Sequence, residues 1–524
     1  MRRIFSEGKD FSPGPKWLIV IEMKKDFAVP EEVSHICATL AGAGFEAYLV
    51  GGCVRDMILK RIPKDWDIAT NAKPKEVQGL FPDSVYENDF GTVIVKTEEL
   101  PESTGPRLRE NDKEKTEKKI KAVEVTTYRI EGKYSDKRHP DEVKFAKTIE
   151  EDLSRRDFTV NAMAMDLKGG ITDPFFGQED IRKKSIRAVG NAEERFREDA
   201  LRLMRAVRFA VELDFEIELN TRRAIEKLAG GLEEIAKERI RDEFEKMIMT
   251  PQAARGILLL EELDLLRYVL PELREGLGVG QNKHHIYSVF EHDVKALDYT
   301  AKQGYSLPVR LAALLHDVGK PRVKSGDGPD STFYQHEYVS AKMTVQALDR
   351  LRFPKDLVDQ VAHLVRRHMF HYNVGEISPA GVRRFVVRVG SENIDDLLKV
   401  READRIGSGV KKAVPYKLRH LLFMIDKVKR DPLSPKMLKI TGDDVMRELA
   451  LPESRRVGWI LASLFDEVLD DPERNNRDEL TLRMKKLNTL TDDQLKLLAE
   501  NAKNKKDELE GEAEEEMKKQ HHVS

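Results

Sequence analysis

An apolar run, Ala47-Tyr48-Leu49-Val50, leads straight into the glycine pair Gly51-Gly52, and a short, mostly helical stretch separates that pair from Asp65-Trp66-Asp67. This order constrains the fold more than any other feature of the sequence. A glycine pair lets backbone amides approach a phosphate, because no Cβ intervenes. On a strand, Asp-x-Asp sets both carboxylates on one face, since side chains alternate with period two. Two hard oxygen ligands facing one way suit Mg²⁺, which commonly takes one or two carboxylates together with substrate phosphates. Gly51 and Gly52 are therefore expected to cradle phosphate, with Asp65 and Asp67 as catalytic metal ligands.

The rest of the chain must be compatible with such a site. At 524 residues it is long enough for three or four domains, and 40% hydrophobic with 35% charged residues fits a soluble globular protein. No apolar run approaches the ~20 residues that span a bilayer, so no membrane role is expected. Trp17 to Met23 is short and is followed by Lys24, Lys25 and Asp26, unlike a signal peptide. Two cysteines, Cys37 and Cys53, exclude a disulfide scaffold and a cysteine-based zinc site. A reducing cytoplasm is the expected compartment. The net charge of −3 balances many charges of both signs, so an RNA-binding face must be local.

Residues 1–29 read as an extension. From Glu31 an amphipathic pattern (Val33, Ile36, Leu40) leads into the first strand, and helix and strand signals alternate to about Asp166. Leu100 to Ile120 is highly charged and interrupted by Pro101, Gly105 and Pro106, as in a surface insertion between the strands around Ile94 and Glu124. After about Gly190 only helical patterns are evident. Asn501 to Ser524 reads as a frayed charged tail.

Further motifs follow the aspartate pair. Arg155-Arg156-Asp157-Phe158-Thr159-Val160-Asn161 sets two guanidiniums, which suit triphosphate oxygens, beside Asp157 and Asn161, which suit a ribose hydroxyl. Asp173-Pro174-Phe175-Phe176-Gly177 reads as a connecting turn. Glu198 to Arg205 reads as one helix with the apolar stripe Ala200, Leu203, Met204 and Val207. Asp199 and Arg202 lie on its more polar side, either as a surface ion pair or as a fixed donor and acceptor for a base edge. Glu238 to Glu243 opens another helix, structural or a buttress to that pair. Glu124 sits on a strand pattern where a third acid would stand near the pair, or face solvent.

In this order the motifs Gly51-Gly52-x-Val54-Arg55-Asp56, Asp65-x-Asp67, Arg155-Arg156-Asp157-Phe158, Glu198-Asp199-x-x-Arg202 and Glu238-Arg239-x-x-x-Glu243 resemble the class II tRNA nucleotidyltransferase and bacterial poly(A) polymerase family. The resemblance runs from about Val33 to Glu243 and resumes nearer the C-terminus. It implies an α+β architecture. A polymerase-β-type head with a mixed sheet spans 30–165, a helical neck 166–275, and all-helical domains follow. Asp65 and Asp67 would hold two Mg²⁺ ions for attack of an RNA 3′-oxygen on the α-phosphorus. Gly51, Gly52, Arg55, Arg156, Asp157, Asn161, Asp199, Arg202 and Arg205 would bind the nucleotide. Asp199 and Arg202 would read CTP and then ATP without a nucleic-acid template, adding CCA to tRNA. Thr126 to Asp141 resembles the flexible loop that switches the site from C to A, and enzymes that add only CC tend to lack it. Poly(A) polymerases share much of the pattern but often end in a basic tail, whereas Glu508 to Glu516 is acidic. A poly(A) polymerase or an A-adding enzyme is the alternative.

A second constellation lies at Leu311 to Pro321, where His316-Asp317 ends an apolar helix pattern. Burying such groups is costly unless they are paired or bind metal. His292, His336, His368 and Asp404 are further candidate ligands, and imidazoles with carboxylates suit Mg²⁺, Mn²⁺, Fe, Ni²⁺ or Zn²⁺. The order resembles the HD phosphohydrolase superfamily, which some members of the first family carry behind the neck. That resemblance implies an all-helical domain over 284–407 with ligands His292, His316, Asp317 and Asp404. His336 and His368 would complete a second site or contact phosphate, and His285 is a substitute for His292. Such a domain would hydrolyse phosphomonoesters or 2′,3′-cyclic phosphates. Residues 408–500 resemble the family's helical region that contacts the tRNA elbow, with Arg455, Arg456, Lys411 and Lys412 facing phosphates or merely solvent, ahead of the tail 501–524. A phosphohydrolase with a head that only binds RNA, and a non-catalytic RNA-binding protein, are the readings from other classes. Oligomeric state is not legible.

Overall fold

Val93, Val95, Val123 and Val125 are fully buried and alternate with more exposed neighbours, the pattern of strands covered on one face. In the computed structural model, which describes residues 18–20, 29–86, 91–97, 122–131, 143–282, 286–410, 413–429 and 438–523, they lie on adjacent strands of a mixed sheet. The strands are β1 (Leu18–Val20), β2 (Ala47–Val50), β3 (Asp67–Thr70), β4 (Ser84–Tyr86), β5 (Thr92–Lys96), β6 (Ala122–Thr127), β7 (Arg129–Glu131), β8 (Val143–Phe145), β9 (Ala164–Met165) and β10 (Gly170–Thr172). Eight of them form one sheet in the order β1-β10-β9-β2-β3-β6-β5-β4, while β7 and β8 pair separately. Helix Glu31–Gly42 buries Val33, Ile36 and Leu40, as its periodicity requires.

The register places the site. β2 runs antiparallel to β3 with Val50 opposite Asp67, so the glycine pair leaves the sheet beside the first residue of β3. β6 runs parallel to β3 with Glu124 opposite Asp67.

Three segments differ from expectation. Leu18–Val20, inside the presumed extension, pairs with β10 as an edge strand, where it covers backbone groups that β10 would otherwise leave open. A parallel pair of two-residue strands, β11 (Ser185–Ile186) and β12 (Glu216–Ile217), lies where only helices were expected; two residues are too few to show a period. The supposed frayed tail belongs to one helix, Asp492–His521, whose end docks on helix Tyr416–Lys429. His521 Nε2 meets Asp426 Oδ2 at 2.6 Å, and Val523 packs with Phe423. The expected insertion 100–120 and residues 132–141 of the expected loop lie outside the described residues.

The chain forms two compact units. The first runs to His368 and includes Lys399–Gly409. The second holds Met369–Leu398 and the chain from Val410 on. Met369–Leu398 lies within the stretch expected for the HD domain, yet it groups with the C-terminal helices through contacts such as Tyr372 Oη to His420 Nδ1 at 2.6 Å. No helix among the described residues is long and apolar enough to cross a membrane.

Candidate functional site

Gly51 has φ +76°, a left-handed conformation that side chains other than glycine's strain to adopt. A Cβ there would stand 2.9 Å from Arg156 Nη1 and 3.7 Å from Asp67 Oδ2, so glycine is what lets a guanidinium and a carboxylate approach the turn. Asp67 opens β3 half-buried, whereas exposed Asp65 precedes the strand in a bend rather than sharing it. Both still line one cavity of ≈ 1020 Å³, together with Gly51, Gly52, Arg55, Arg156, Asp157, Asn161, Asp199, Arg202 and Arg205. Every residue expected to bind nucleotide therefore faces one space. Glu124, although in register with Asp67, does not line it.

Ten arginines and lysines line this cavity against seven carboxylates. Four of the seven, Asp56, Asp157, Asp199 and Glu212, are paired with arginines. Asp157 is bonded by Arg205 Nε at 2.7 Å and by the Phe158 amide at 2.8 Å. Burial raises its pKa, but the charges of Arg205 and Arg202 outweigh burial and bring it down to about 2. Arg55 donates to Asn161 at 2.7 Å. Arg155 and Arg156 both reach the buried Asp152, at 2.8 and 3.3 Å. Arg55, Arg205 and Arg208 stand 5.4, 5.2 and 3.8 Å from the Phe209 ring centroid, close enough for cation–π attraction.

Asp65 and Asp67 are among the unpaired acids. Among the described residues neither makes a side-chain hydrogen bond or an ion pair, even within a cavity lined by ten cations. The Asp67 carboxyl is held above its usual range by burial first and by the charge of Asp65, with Arg156 opposing. Two adjacent carboxylates without an ion-pair partner fit a divalent cation with oxygen preference.

The pair expected to read the base, Asp199 and Arg202, is arranged differently from the sequence expectation. Helix Ala192–Glu198 ends before Asp199, which is extended, and a new helix begins at Leu201. Asp199 bonds Arg239 at 2.7 and 3.3 Å rather than Arg202. Arg202 is buried and donates to Glu198 at 2.6 Å and to the carbonyls of Arg195 and Arg155, each at 3.1 Å. The supposed polar side of this helix is thus the cavity wall. Glu243 buttresses the same wall by accepting from Arg208 at 2.5 Å. Asp173 is a structural turn residue that accepts from the amides of Gly177 and Gln178 at 2.7 and 3.0 Å.

The second constellation is drier. His292, His316 and Asp317 are essentially inaccessible, and His336, His368 and Asp404 are buried. His292 lies in the first turn of helix Val289–Lys302, which Ser288 and Glu291 start as a capping box. His316 caps helix Leu307–Leu315, and His368 caps Lys355–Arg367. Gly319 has no room for a Cβ, which would lie 2.5 Å from the Ser340 amide; this close approach brings helix His336–Arg350 against Asp317. His316, His336 and His368 each give the Nδ1 proton to a carbonyl three residues earlier, at 2.9, 2.8 and 2.7 Å. That leaves each Nε2 with a lone pair for a metal.

The Nε2 atoms converge on Asp317 from two sides. On Oδ2, His292 stands at 3.2 Å and His316 at 3.4 Å, with Asp404 Oδ1 at 3.5 and 3.8 Å from the same two nitrogens, which are 2.9 Å apart. Two atoms bound to one ion at about 2.1 Å stand about 3.0 Å apart at a right angle and about 3.4 Å apart at the tetrahedral angle. Three of the expected ligands, His292, His316 and Asp317, form with Asp293 one possible ligand group, and Asp404 adjoins its two imidazoles. On Oδ1, which has no hydrogen-bond partner, His336 and His368 stand at 3.1 and 3.7 Å, and these two with Asp317 form a second possible ligand group. Burial pushes the His368 imidazole down to about 3, so it is neutral.

Sequence reasoning missed Asp152, Phe209, Lys320 and Asp293. Lys320, in the quoted motif, bonds Asp317 Oδ2 at 2.5 Å and Gln281 Oε1 at 2.6 Å. Asp293 is fully buried beside His316. His285, Lys411 and Lys412 lie outside the described residues. Arg456 donates to Asn488 and Leu490 carbonyls, each at 2.8 Å, and is a structural residue in its own unit.

A strand–glycine-turn–strand sheet with a paired-carboxylate cavity, backed by a helical wall and a His/Asp centre, defines a nucleotidyltransferase head joined to an HD domain. Comparison with known proteins agrees. Residues 47–187 match the poly A polymerase head domain, 214–277 the probable RNA and SrmB-binding site of polymerase A, and 289–408 the HD domain. The chain is 40% identical over 340 residues to the A-adding tRNA nucleotidyltransferase of Deinococcus radiodurans, covering 62% of this chain and 76% of that protein. It is 31% identical over 468 residues to the CCA-adding enzyme of Enterococcus faecalis, covering 87% of this chain and 96% of that protein. The crystal structure of the Bacillus stearothermophilus CCA-adding enzyme in complex with CTP superposes with a TM-score of 0.55 at 29% identity, covering 89% of this chain and 98% of that one. Several other curated relatives are matched over about half of their length, 52% to 56%. The chain belongs to the tRNA nucleotidyltransferase and poly(A) polymerase family.

Proposed function

We propose that this chain adds CCA to tRNA 3′ ends from CTP and ATP. The observation that carries the reading is the adjacent pair Asp65 and Asp67, without ion-pair partners in a cavity where Asp56, Asp157, Asp199 and Glu212 are paired with arginines. These two would hold Mg²⁺, which supplies activation of the RNA 3′-hydroxyl and charge neutralisation of the triphosphate. The remaining steps fall to the protein's own side chains. Gly51 and Gly52 keep the turn open for phosphate. Arg156 and Arg55 attract the triphosphate, and their partners Asp152 and Asn161 hold them in place. Arg205, anchored by Asp157, adds charge from the helical wall.

Asp199 and Arg202 present an acceptor and a donor to the incoming base. Arg239 orients the first, while Glu198 and two carbonyls orient the second. Because neither partner is a nucleic acid, the choice of C and then A rests on how this pair is held. The HD centre would hold Mg²⁺, Mn²⁺, Ni²⁺ or Fe through His292, His316, Asp317 and Asp404, and would remove phosphate from RNA ends. A narrower reading, addition of the terminal A alone, is favoured by the identity to the Deinococcus enzyme.

The test is incubation of the pure chain with Mg²⁺, a tRNA lacking its CCA end and labelled CTP or ATP, singly and together. Two C residues with CTP alone and one further A when ATP joins are expected. Addition of A only to tRNA already ending in CC would make it an A-adding enzyme, and long A tails on many RNAs a poly(A) polymerase.

A further inference from the structure

Phe209 lies in helix Leu201–Leu213, four residues after Arg205 and seven after Arg202, so the three share the helix face that walls the head cavity. Three guanidiniums meet at its ring, all within 5.4 Å of the centroid. Arg55 comes from helix Gly52–Ile58, and Arg205 and Arg208 from the ring's own helix. All three line the cavity, and Arg55 and Arg208 are only 6% and 8% exposed. Like charges gathered around one point and away from water repel one another. Carboxylates relieve part of the repulsion: Asp56 for Arg55, Asp157 for Arg205, and Glu243 with Glu212 for Arg208. Each such acid also cancels positive charge that a triphosphate would otherwise meet. An aromatic face acts differently. Its quadrupole attracts a cation while adding no net charge, so the guanidinium it holds keeps its charge for an anionic ligand. The ring is itself held edge-on to Phe158, with 5.8 Å between centroids and 77° between planes, and Phe158 is fully buried next to the anchor Asp157. An aliphatic side chain would fill the space but offer the guanidiniums no such face.

We propose that Phe209 is a positioning residue for the triphosphate: its ring gathers Arg55, Arg205 and Arg208 at the cavity wall without neutralising them. The proposal rests on the reading of this cavity as the site for CTP and ATP. It separates Phe209 from a plain core residue, which acts through its volume, because this role is kept by another aromatic ring and lost with an aliphatic side chain. It also separates Phe209 from Asp199 and Arg202, since a ring that serves phosphates does not choose between bases.

The test uses the full chain with Phe209→Leu, with Phe209→Met as a second aliphatic variant, and with Phe209→Tyr, which restores the ring. KM and kcat are measured for CTP on a tRNA lacking its CCA end and for ATP on a tRNA ending in CC. CTP binding is followed by calorimetry, and tripolyphosphate in excess Mg²⁺ serves as a competitor with neither base nor sugar. The aliphatic variants are expected to raise KM for both nucleotides about tenfold with a smaller loss in kcat, and to weaken CTP binding and tripolyphosphate inhibition by a similar factor. The ratio of kcat/KM for CTP over ATP should stay within about twofold, and Phe209→Tyr should keep KM within about threefold of the wild type. Wild-type KM in the aliphatic variants, a loss in kcat alone, or a Phe209→Tyr chain as impaired as Phe209→Leu would overturn the proposal. A wild-type chain that adds neither C nor A would overturn the proposed function, and this proposal with it. A wild-type chain that adds both, while Phe209→Leu is inhibited by tripolyphosphate as strongly as the wild type, would overturn the role of the ring alone.

Discussion

The head cavity and the HD centre hold their carboxylates in opposite ways. In the head, Asp65 is exposed, Asp67 half-buried, and neither forms an ion pair with the surrounding arginines. In the HD centre, Asp317 is 1% exposed and contacts four imidazoles and a lysine. An open site with bare oxygens suits an ion that arrives with a phosphate-bearing substrate and keeps waters. A closed site rich in imidazole suits a resident transition metal. On the proposed assignment, one chain would keep two metal chemistries apart by burial and donor type.

The largest effect that could break this contrast is expected at Asp67. Asp67→Ala should lower nucleotide addition by at least about 10³-fold, because a metal supplies several kcal/mol of charge stabilisation and each 1.36 kcal/mol is tenfold. Metal-dependent hydrolysis of a phosphomonoester by the same variant should be unchanged. The reciprocal substitution, Asp317→Ala, should weaken Ni²⁺ binding by about 100-fold in calorimetry while addition stays within about twofold. If either substitution damaged both activities, the two centres would not be separate.

The motifs that mark each centre were legible because each is local: a glycine pair after an apolar run, Asp-x-Asp, His-Asp at the end of an apolar helix. The sharing of one cavity by the head motifs, and the convergence of four imidazoles on Asp317, followed from the order of motifs rather than from any spacing. What could not be read were partnerships made across the chain. Asp199 pairs with Arg239, forty residues on, and not with its helical neighbour Arg202. Phe209 belongs to no motif, yet its ring gathers three arginines. Asp293 follows a candidate ligand and carries no motif. The terminal helix was missed because its charged composition hides the contacts of His521 and Val523 that hold its end.

The Asp199–Arg239 pair offers a sharper test of the open site. Arg239→Met should blur the preference for C over A by about tenfold, the worth of one charge-assisted contact, with little change in tRNA affinity. Competition between CTP and ATP on a tRNA lacking CCA measures it. Smallest in its effect on the reaction is the anchor Asp157. Its pKa is depressed to about 2 in the folded chain, so its stabilisation is present above pH ~4 and is lost as pH falls through about 2. That amounts to about 2 kcal/mol. Asp157→Asn should lower Tm at neutral pH and remove this step from a melting series between pH 5 and pH 2.

The most direct measurement follows both activities on one preparation as the metal is changed. After chelation, Mg²⁺ alone should restore addition of C and A to a tRNA lacking its CCA end, whereas hydrolysis of a phosphomonoester should respond to Ni²⁺ or Mn²⁺ and be absent in Asp317→Ala. Addition that fails with Mg²⁺, or that disappears in Asp317→Ala while Asp67→Ala retains it, would contradict the assignment of nucleotidyl transfer to the carboxylate pair of the head.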